Sequence, residues 1–273
     1  MIMVTAAEHG EARHWLARHG QPVGQPTPLV TALIATRRPV RGRGTWRYFG
    51  YVMLAGLAAS VYLLLFGPGA TESAIGYFIG FGIQLGLWDI IRRRERELRA
   101  SAPARPPAEP WWQVLGGWYL ASLVLAFAGG AVLAGAMYFT TPDRTYAVSW
   151  LGLLGLSGLS SGCVLIGILR GPVFGADAES LAVARALRAE KIYLASPVLG
   201  VLPLAMEMLM GHGRQPAEFF PWMAGYIAAV VLLQAVSGLR HRRRFRKLPP
   251  GHYGEPAPDR DPGTPVDWSP PGY

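Results

Sequence analysis

Lysine is nearly missing from this sequence, and so are cysteine, acidic charge and the familiar catalytic signatures. Lysine occurs only at Lys191 and Lys247, so the 26 basic residues are almost all arginine. With abundant Ala, Gly and Pro, this bias has the look of a high-GC bacterial genome, and codon usage then accounts for part of the arginine content. The single cysteine, Cys163, excludes an intrachain disulfide and any zinc or iron–sulfur centre built on thiolates. In its apolar segment it reads as a buried packing residue. Charged residues make up 16% of the chain, against about 25% in an ordinary soluble domain. That shortfall, with 51% hydrophobic residues and a net charge of +9, points to a membrane protein. No phosphate loop, HExxH, GxSxG or pair of histidines at metal spacing occurs. His9, His14, His19, His241 and His252 fall in the polar ends, and His212 falls in an outer loop, which argues against haem ligation inside a span. Nothing supports an enzyme, and neither a cofactor nor a metal is expected.

What is present is apolar length. Crossing a bilayer core of about 30 Å takes about 20 apolar residues in a helix. Six stretches qualify: 47–67, 72–91, 113–139, 147–169, 192–210 and 219–239. The third is long, which predicts tilt or an interfacial start at Trp111 and Trp112. The expected fold is an all-α polytopic bundle of six transmembrane helices in three hairpins. A segment with short helices precedes it (1–46), the membrane domain covers 47–247, and a Pro-rich tail (248–273) is expected to be disordered. Thr5 with Glu8 reads as a capping box opening a helix that runs to about Arg18. "LVTALIATRR" is too short to span and is expected on the inner leaflet. The start of the chain has no short apolar core with a cleavage site, so no signal peptide is expected.

Basic residues set the orientation. With the N-terminus in the cytoplasm, all but Arg144 and Arg214 of the lysines and arginines fall on the inner side. The positive-inside rule asks for this asymmetry. Both termini are therefore expected in the cytoplasm and the protein in the inner membrane. "RHRRRFRK" directly follows a span, where anionic inner-leaflet lipid attracts such a run, so lipid is the expected partner rather than nucleic acid.

Few residues in the spans carry chemistry. "LPLAMEMLMGHG" sets Met206, Met208 and Met210 around Glu207, with His212 beyond. A helix turns 100° per residue, so these groups cannot converge on one metal. An acid at a helix centre costs about 2.5–3.5 kcal/mol and marks function by default. Glu207 lies only about one turn from the outer boundary, however, and is expected to reach toward water or His212. Asp89 sits one turn from the inner end with Arg92 and Arg93 at i+3 and i+4, which predicts an ion pair at the membrane edge. Gln84 and Gln234 are neutral groups able to bond between helices. Gly76, Gly80, Gly82 and Gly86 in the second span, and Gly155, Gly158 and Gly162 in the fourth, predict close helix contacts within the bundle or with a partner. Pro197 and Pro203 predict a hinge in the fifth span. "GADAESLAVARALRAEK" reads as a helix capped by Asp177, either docking on a membrane or partner or extending the fifth span.

Two functions follow as expectations. The first is a non-catalytic membrane subunit or scaffold that works by helix packing with a partner membrane protein or a second copy. The alternative is a self-contained secondary transporter, proton-coupled or for a cation, using Glu207 in a Pro-kinked fifth span.

Overall fold

The computed structural model describes residues 4–37, 45–67, 74–98, 102–105, 110–210 and 215–256. Five of its helices are long and apolar enough to cross a membrane: Phe49–Phe66, Ala74–Leu98, Gly117–Thr140, Arg144–Leu169 and Ala217–Arg244. A sixth crossing is available if the bent pair Ala178–Gly200 and Leu202–Leu209 counts as one. The chain is an all-α, multi-pass membrane protein. Its outer shell fits that solvent, with Leu64, Leu65 and Phe139 each more than three-quarters exposed on the sides of the bundle. A water-soluble surface rarely carries such a continuous apolar band.

Helix α1 spans Ala6–Arg18, α2 spans Pro28–Ala35, α3 spans Thr45–Phe66 and α4 spans Ala74–Leu98. α3 and α4 run antiparallel. Tyr62 meets Phe78 at one end, and Gly82 lies against Tyr51 and Ala55 at the other. α4 outruns its apolar stretch because the arginine run continues the helix, with Arg93 donating to Asp89 across one turn at 2.8 Å. The third apolar stretch is divided. α5 (Trp111–Leu115) is a separate short helix with both tryptophans exposed, and Gly116, at φ +73, turns the chain into α6 (Gly117–Val124). Only glycine adopts that φ without strain. A π-helical turn (Leu125–Gly129) then leads into α7 (Gly130–Thr140), followed by α8 (Arg144–Leu169). The bundle core gathers Tyr77, Met137, Tyr146, Trp150, Leu153, Leu204 and Met223.

A second core lies at the basic end of the bundle. It brings Trp15 and Leu16 of α1, Val30 and Ile34 of α2, Leu98 of α4, Val173 and Phe174, Val183 and Leu187 of α9 (Ala178–Lys191), and Leu248 and Tyr253 into one cluster. Thr5 and Glu8 cap α1 reciprocally, Thr27 caps α2, and Asp177 with Ser180 caps α9. Strand β1 (Val23–Pro26) pairs antiparallel with β4 (Gly254–Pro256), and β2 (Ala104–Arg105) with β3 (Val173–Phe174). Glu190 of α9 accepts from the Trp15 indole at 3.4 Å and pairs with Arg37 at 2.8 Å.

This end domain corrects two expectations. α2 does not lie on a leaflet: its apolar side chains are buried against α1 and α9, where the end domain supplies a core the isolated segment lacks. The tail is not without structure from Leu248, because Leu248 and Tyr253 are buried and β4 adds to β1 as far as Pro256. The rest of the tail lies outside the described residues.

Candidate functional site

The fifth apolar stretch is a chain of short pieces. From α9 it passes through a 3-10 turn (Ile192–Ala195), Ser196 and a second 3-10 turn (Pro197–Gly200), then bends by 41° into α10 (Leu202–Met210). Pro197 opens the second turn and Pro203 falls in the first turn of α10. At those positions no intrahelical N–H is needed, so both prolines are tolerated and the bend falls between them.

Backbone groups released by the break must find partners, because nothing in a bilayer core supplies them. Neighbouring helices do so. The Tyr119 hydroxyl of α6 donates to the Ile192 carbonyl at 3.1 Å and to the Ala195 carbonyl at 2.8 Å. The Gln84 amide of α4 donates to the Leu194 carbonyl at 3.0 Å and to Ser161 Oγ at 3.2 Å, while its carbonyl accepts from Ser160 Oγ at 2.8 Å. Tyr193 and Ser237 Oγ of α11 (Phe220–Arg244) share a bond of 3.1 Å, and Ser122 donates to Gln234 at 2.8 Å. α4 and α6 thus satisfy carbonyls of the first 3-10 turn, and α11 bonds the Tyr193 side chain of the same turn, all with neutral groups.

The π-helical turn faces the same place. Tyr226 donates to the Ala126 carbonyl at 2.5 Å, and Phe127 packs between Gly158 and Gly200. Single π-turns often mark functional positions in membrane and soluble helices alike.

Glu207 lies on α10, two turns beyond the break. It is only 5% exposed, so the expectation that it reaches toward water does not hold. Its carboxylate is within electrostatic range of the Tyr77 hydroxyl, which accepts from the Trp150 indole at 3.1 Å. Met208 packs on the core, whereas Met206 is half exposed on the outside of α10. His212 lies outside the described residues. Asp89, toward the arginine-rich end of α4, is paired with Arg93 at 2.8 Å and with Arg96 at 4.0 Å. Arg92 takes no part in that pair and instead stacks over Trp88 at 4.9 Å. Among the described residues no group of three His, Cys, Asp or Glu side chains is placed to hold a metal.

The glycines divide. A Cβ on Gly76 would lie 3.2 Å from Pro203, on Gly82 3.0 Å from the Tyr51 carbonyl, and on Gly158 3.4 Å from Phe127. Gly86 is buried. Gly80, Gly155 and Gly162 have open space beside them. Sequence reasoning passed over two tighter positions, Gly130 against Tyr226 and Gly200 against Ser157, where the added carbon would come within 2.8 Å and 2.7 Å. It also missed Tyr119 and the serines as partners of the break. Their signal was present as polar residues at helical spacing within apolar spans, Tyr119 with Ser122 and Ser157 with Ser161. Cys163, read as a buried packing residue, is exposed on the outer side of α8.

Among the described residues, these features define a polytopic helical membrane protein with a sharply bent fifth stretch and a buried acid beyond the bend. No protein-family model matches the chain, and no curated protein or solved structure does either.

Proposed function

We propose that the chain is a self-contained secondary transporter, proton-coupled or for a cation, working around the broken fifth span. The observation that carries this reading is Glu207, buried in the bundle on α10 two turns beyond the bend, in a stretch whose irregular turn at 192–195 is bonded by α4, α6 and α11. The sequence put the scaffold reading first, on its small-residue contact surface, basic inner faces and few intramembrane polar groups, with Glu207 expected near the outer boundary. A carboxylate kept inside a helical bundle at such cost is a functional residue by default. Discontinuous helices with released backbone groups are also where transporters bind their substrates and coupling ions. Neutralisation by a proton is the simplest way for such an acid to change its environment.

Parity supports a sixth crossing. β1 pairs with β4, which favours placing Val23 and Gly254 on one side of the bilayer and so an even number of crossings between them. With five unbroken spans, the bent pair supplies the remaining one. The arginine-rich end domain then faces the cytoplasm by the positive-inside rule, with the protein in the inner membrane.

Reconstituted protein in liposomes with an imposed pH gradient and a potassium diffusion potential should carry a measurable proton or cation flux. Glu207→Gln should abolish it with insertion and yield unchanged, and Glu207→Asp should keep part of it. Full flux in Glu207→Gln, or none in the wild-type protein, removes the proposal. The scaffold reading keeps one observation in its favour, the uncovered small positions Gly152, Gly155 and Gly162 on α8. A stoichiometric partner purified with the chain would favour it.

A further inference from the structure

A cleft opens where α4, α8 and α9 meet the end domain. Its volume is about 40 Å³. That is room for roughly three waters, and far below the several hundred Å³ of an organic-ligand pocket. Trp88 and Gly167 lie tightly together at one wall, since a Cβ at 167 would come 2.6 Å from the indole ring. Ile91, Leu194 and Leu33 supply apolar surface.

The charged lining is unequal. Arg92, Arg188 and Lys191 face a single carboxylate, Glu95. Lys191 Nζ lies 2.6 Å from Glu95, on a side chain only 14% exposed, and that pair cancels. The Arg188 guanidinium donates to the carbonyls of Ile168 and Leu169, at the negative end of the α8 dipole, so it is fixed in place beside the cleft. The Arg92 Cζ lies over the Trp88 ring, 4.9 Å from its centroid. A cation–π contact of this kind spends none of the guanidinium N–H groups, which leaves them for an anion. The depth is also specific, because the cleft sits where the apolar parts of α4 and α8 end, the level of headgroups around a spanning helix.

We propose that this cleft binds one phosphate group, held by the Arg92 guanidinium, with the fixed positive charge of Arg188 beside it and Lys191 behind. Guanidinium forks match phosphate oxygens in pairs. The same chemistry is offered by the phosphate of an anionic lipid and by free inorganic phosphate. The proposal is independent of the transport reading, because it concerns the opposite end of the fifth span from Glu207.

The test uses the full chain in nanodiscs of phosphatidylcholine doped with phosphatidylglycerol, with retained lipid counted by native mass spectrometry. A second arm measures thermal stability in detergent as inorganic phosphate is added. Selective retention of phosphatidylglycerol identifies a lipid headgroup, and stabilisation by millimolar phosphate without lipid selectivity identifies the free ion. In either arm Arg92→Gln should weaken binding about fivefold, as one basic residue near an anionic surface predicts. Glu95→Gln should strengthen it, a change of sign that misfolding would not produce. Arg96→Gln is the control, removing the same charge from a side chain 57% exposed outside the cleft, and should change binding less than twofold. Absence of any preference for phosphatidylglycerol or phosphate, or equal losses in Arg92→Gln and Arg96→Gln, overturns the proposal.

Discussion

Asp177 shows how one side chain can fix an element in place. Its carboxylate accepts from the Ser180 backbone N–H at 2.6 Å, and Ser180 Oγ accepts in return from the Asp177 backbone N–H at 3.2 Å. The bonds from Ser180 hold the Asp177 carboxyl below the ordinary aspartate range. A carboxyl lowered on folding contributes stability above its unfolded value and loses it as pH falls through the lowered one. Asp177→Ala should therefore destabilise the end domain by about 1 kcal/mol near neutrality. The gap between wild type and variant should close as the solution is acidified below pH 4, and chemical denaturation of the end domain at several pH values reads it directly. A gap independent of pH would mean that the cap is not titrating.

At the scale of elements, the bundle distinguishes glycines that admit a neighbour from glycines that merely border open space. Gly82 and Gly80 sit two residues apart on α4. An added Cβ at Gly82 meets the Tyr51 carbonyl and the Ala55 methyl, both at 3.0 Å, whereas at Gly80 it meets nothing. Gly82→Leu should therefore cost about 1–3 kcal/mol through overpacking. Gly80→Leu should be neutral or slightly stabilising through helix propensity. Thermal melting in detergent separates the two, and equal shifts would contradict the α3–α4 contact. Helix positions themselves were legible from apolar length, although α4 and α11 run on past their apolar stretches through the arginine runs that follow. The broken span was legible only in part. Pro197 and Pro203 flagged irregularity, yet the bend falls between them because prolines are accommodated in the first turn of a helix. The irregular turn before it, Ile192–Ala195, is bonded by Tyr119, Gln84 and Ser237, each from a different helix, and such pairings carry no local pattern. Glu207 stood out in the sequence as an intramembrane acid. Its burial did not, because depth along a helix says nothing about which side of the bundle the residue faces.

At the scale of the whole molecule, the end domain is the part least visible in the sequence. Its pieces are short, and α1, β1, α2, α9 and β4 bury their apolar faces against one another and against the end of α4 and strand β3. No single segment shows a hydrophobic period long enough to announce a core. Its dependence on the C-terminal residues is testable. Deleting residues 248–273 removes the buried Leu248 and Tyr253 side chains and the β4 partner of β1. The N-terminal segment should then become open to limited proteolysis between α1 and α2, with the bundle left intact. Protection equal to wild type would show that α1 and α2 hold without the tail.

The pairing of β1 with β4 also sets an order of events during synthesis. Gln21 donates to the carbonyl of Leu248, a residue that follows it by 227 positions. Every span must therefore leave the ribosome before β1 meets β4 and the end domain is complete. α1 can meet α2 and α9 earlier, but Leu248 and Tyr253 join Trp15, Leu16 and Ile34 only at the end, and until then that side of the cluster is apolar and accessible to chaperones and proteases. Completion of the domain is thus coupled to completion of the bundle, and a chain that fails to insert its last helix is left displaying the degradation-prone surface that a finished molecule conceals.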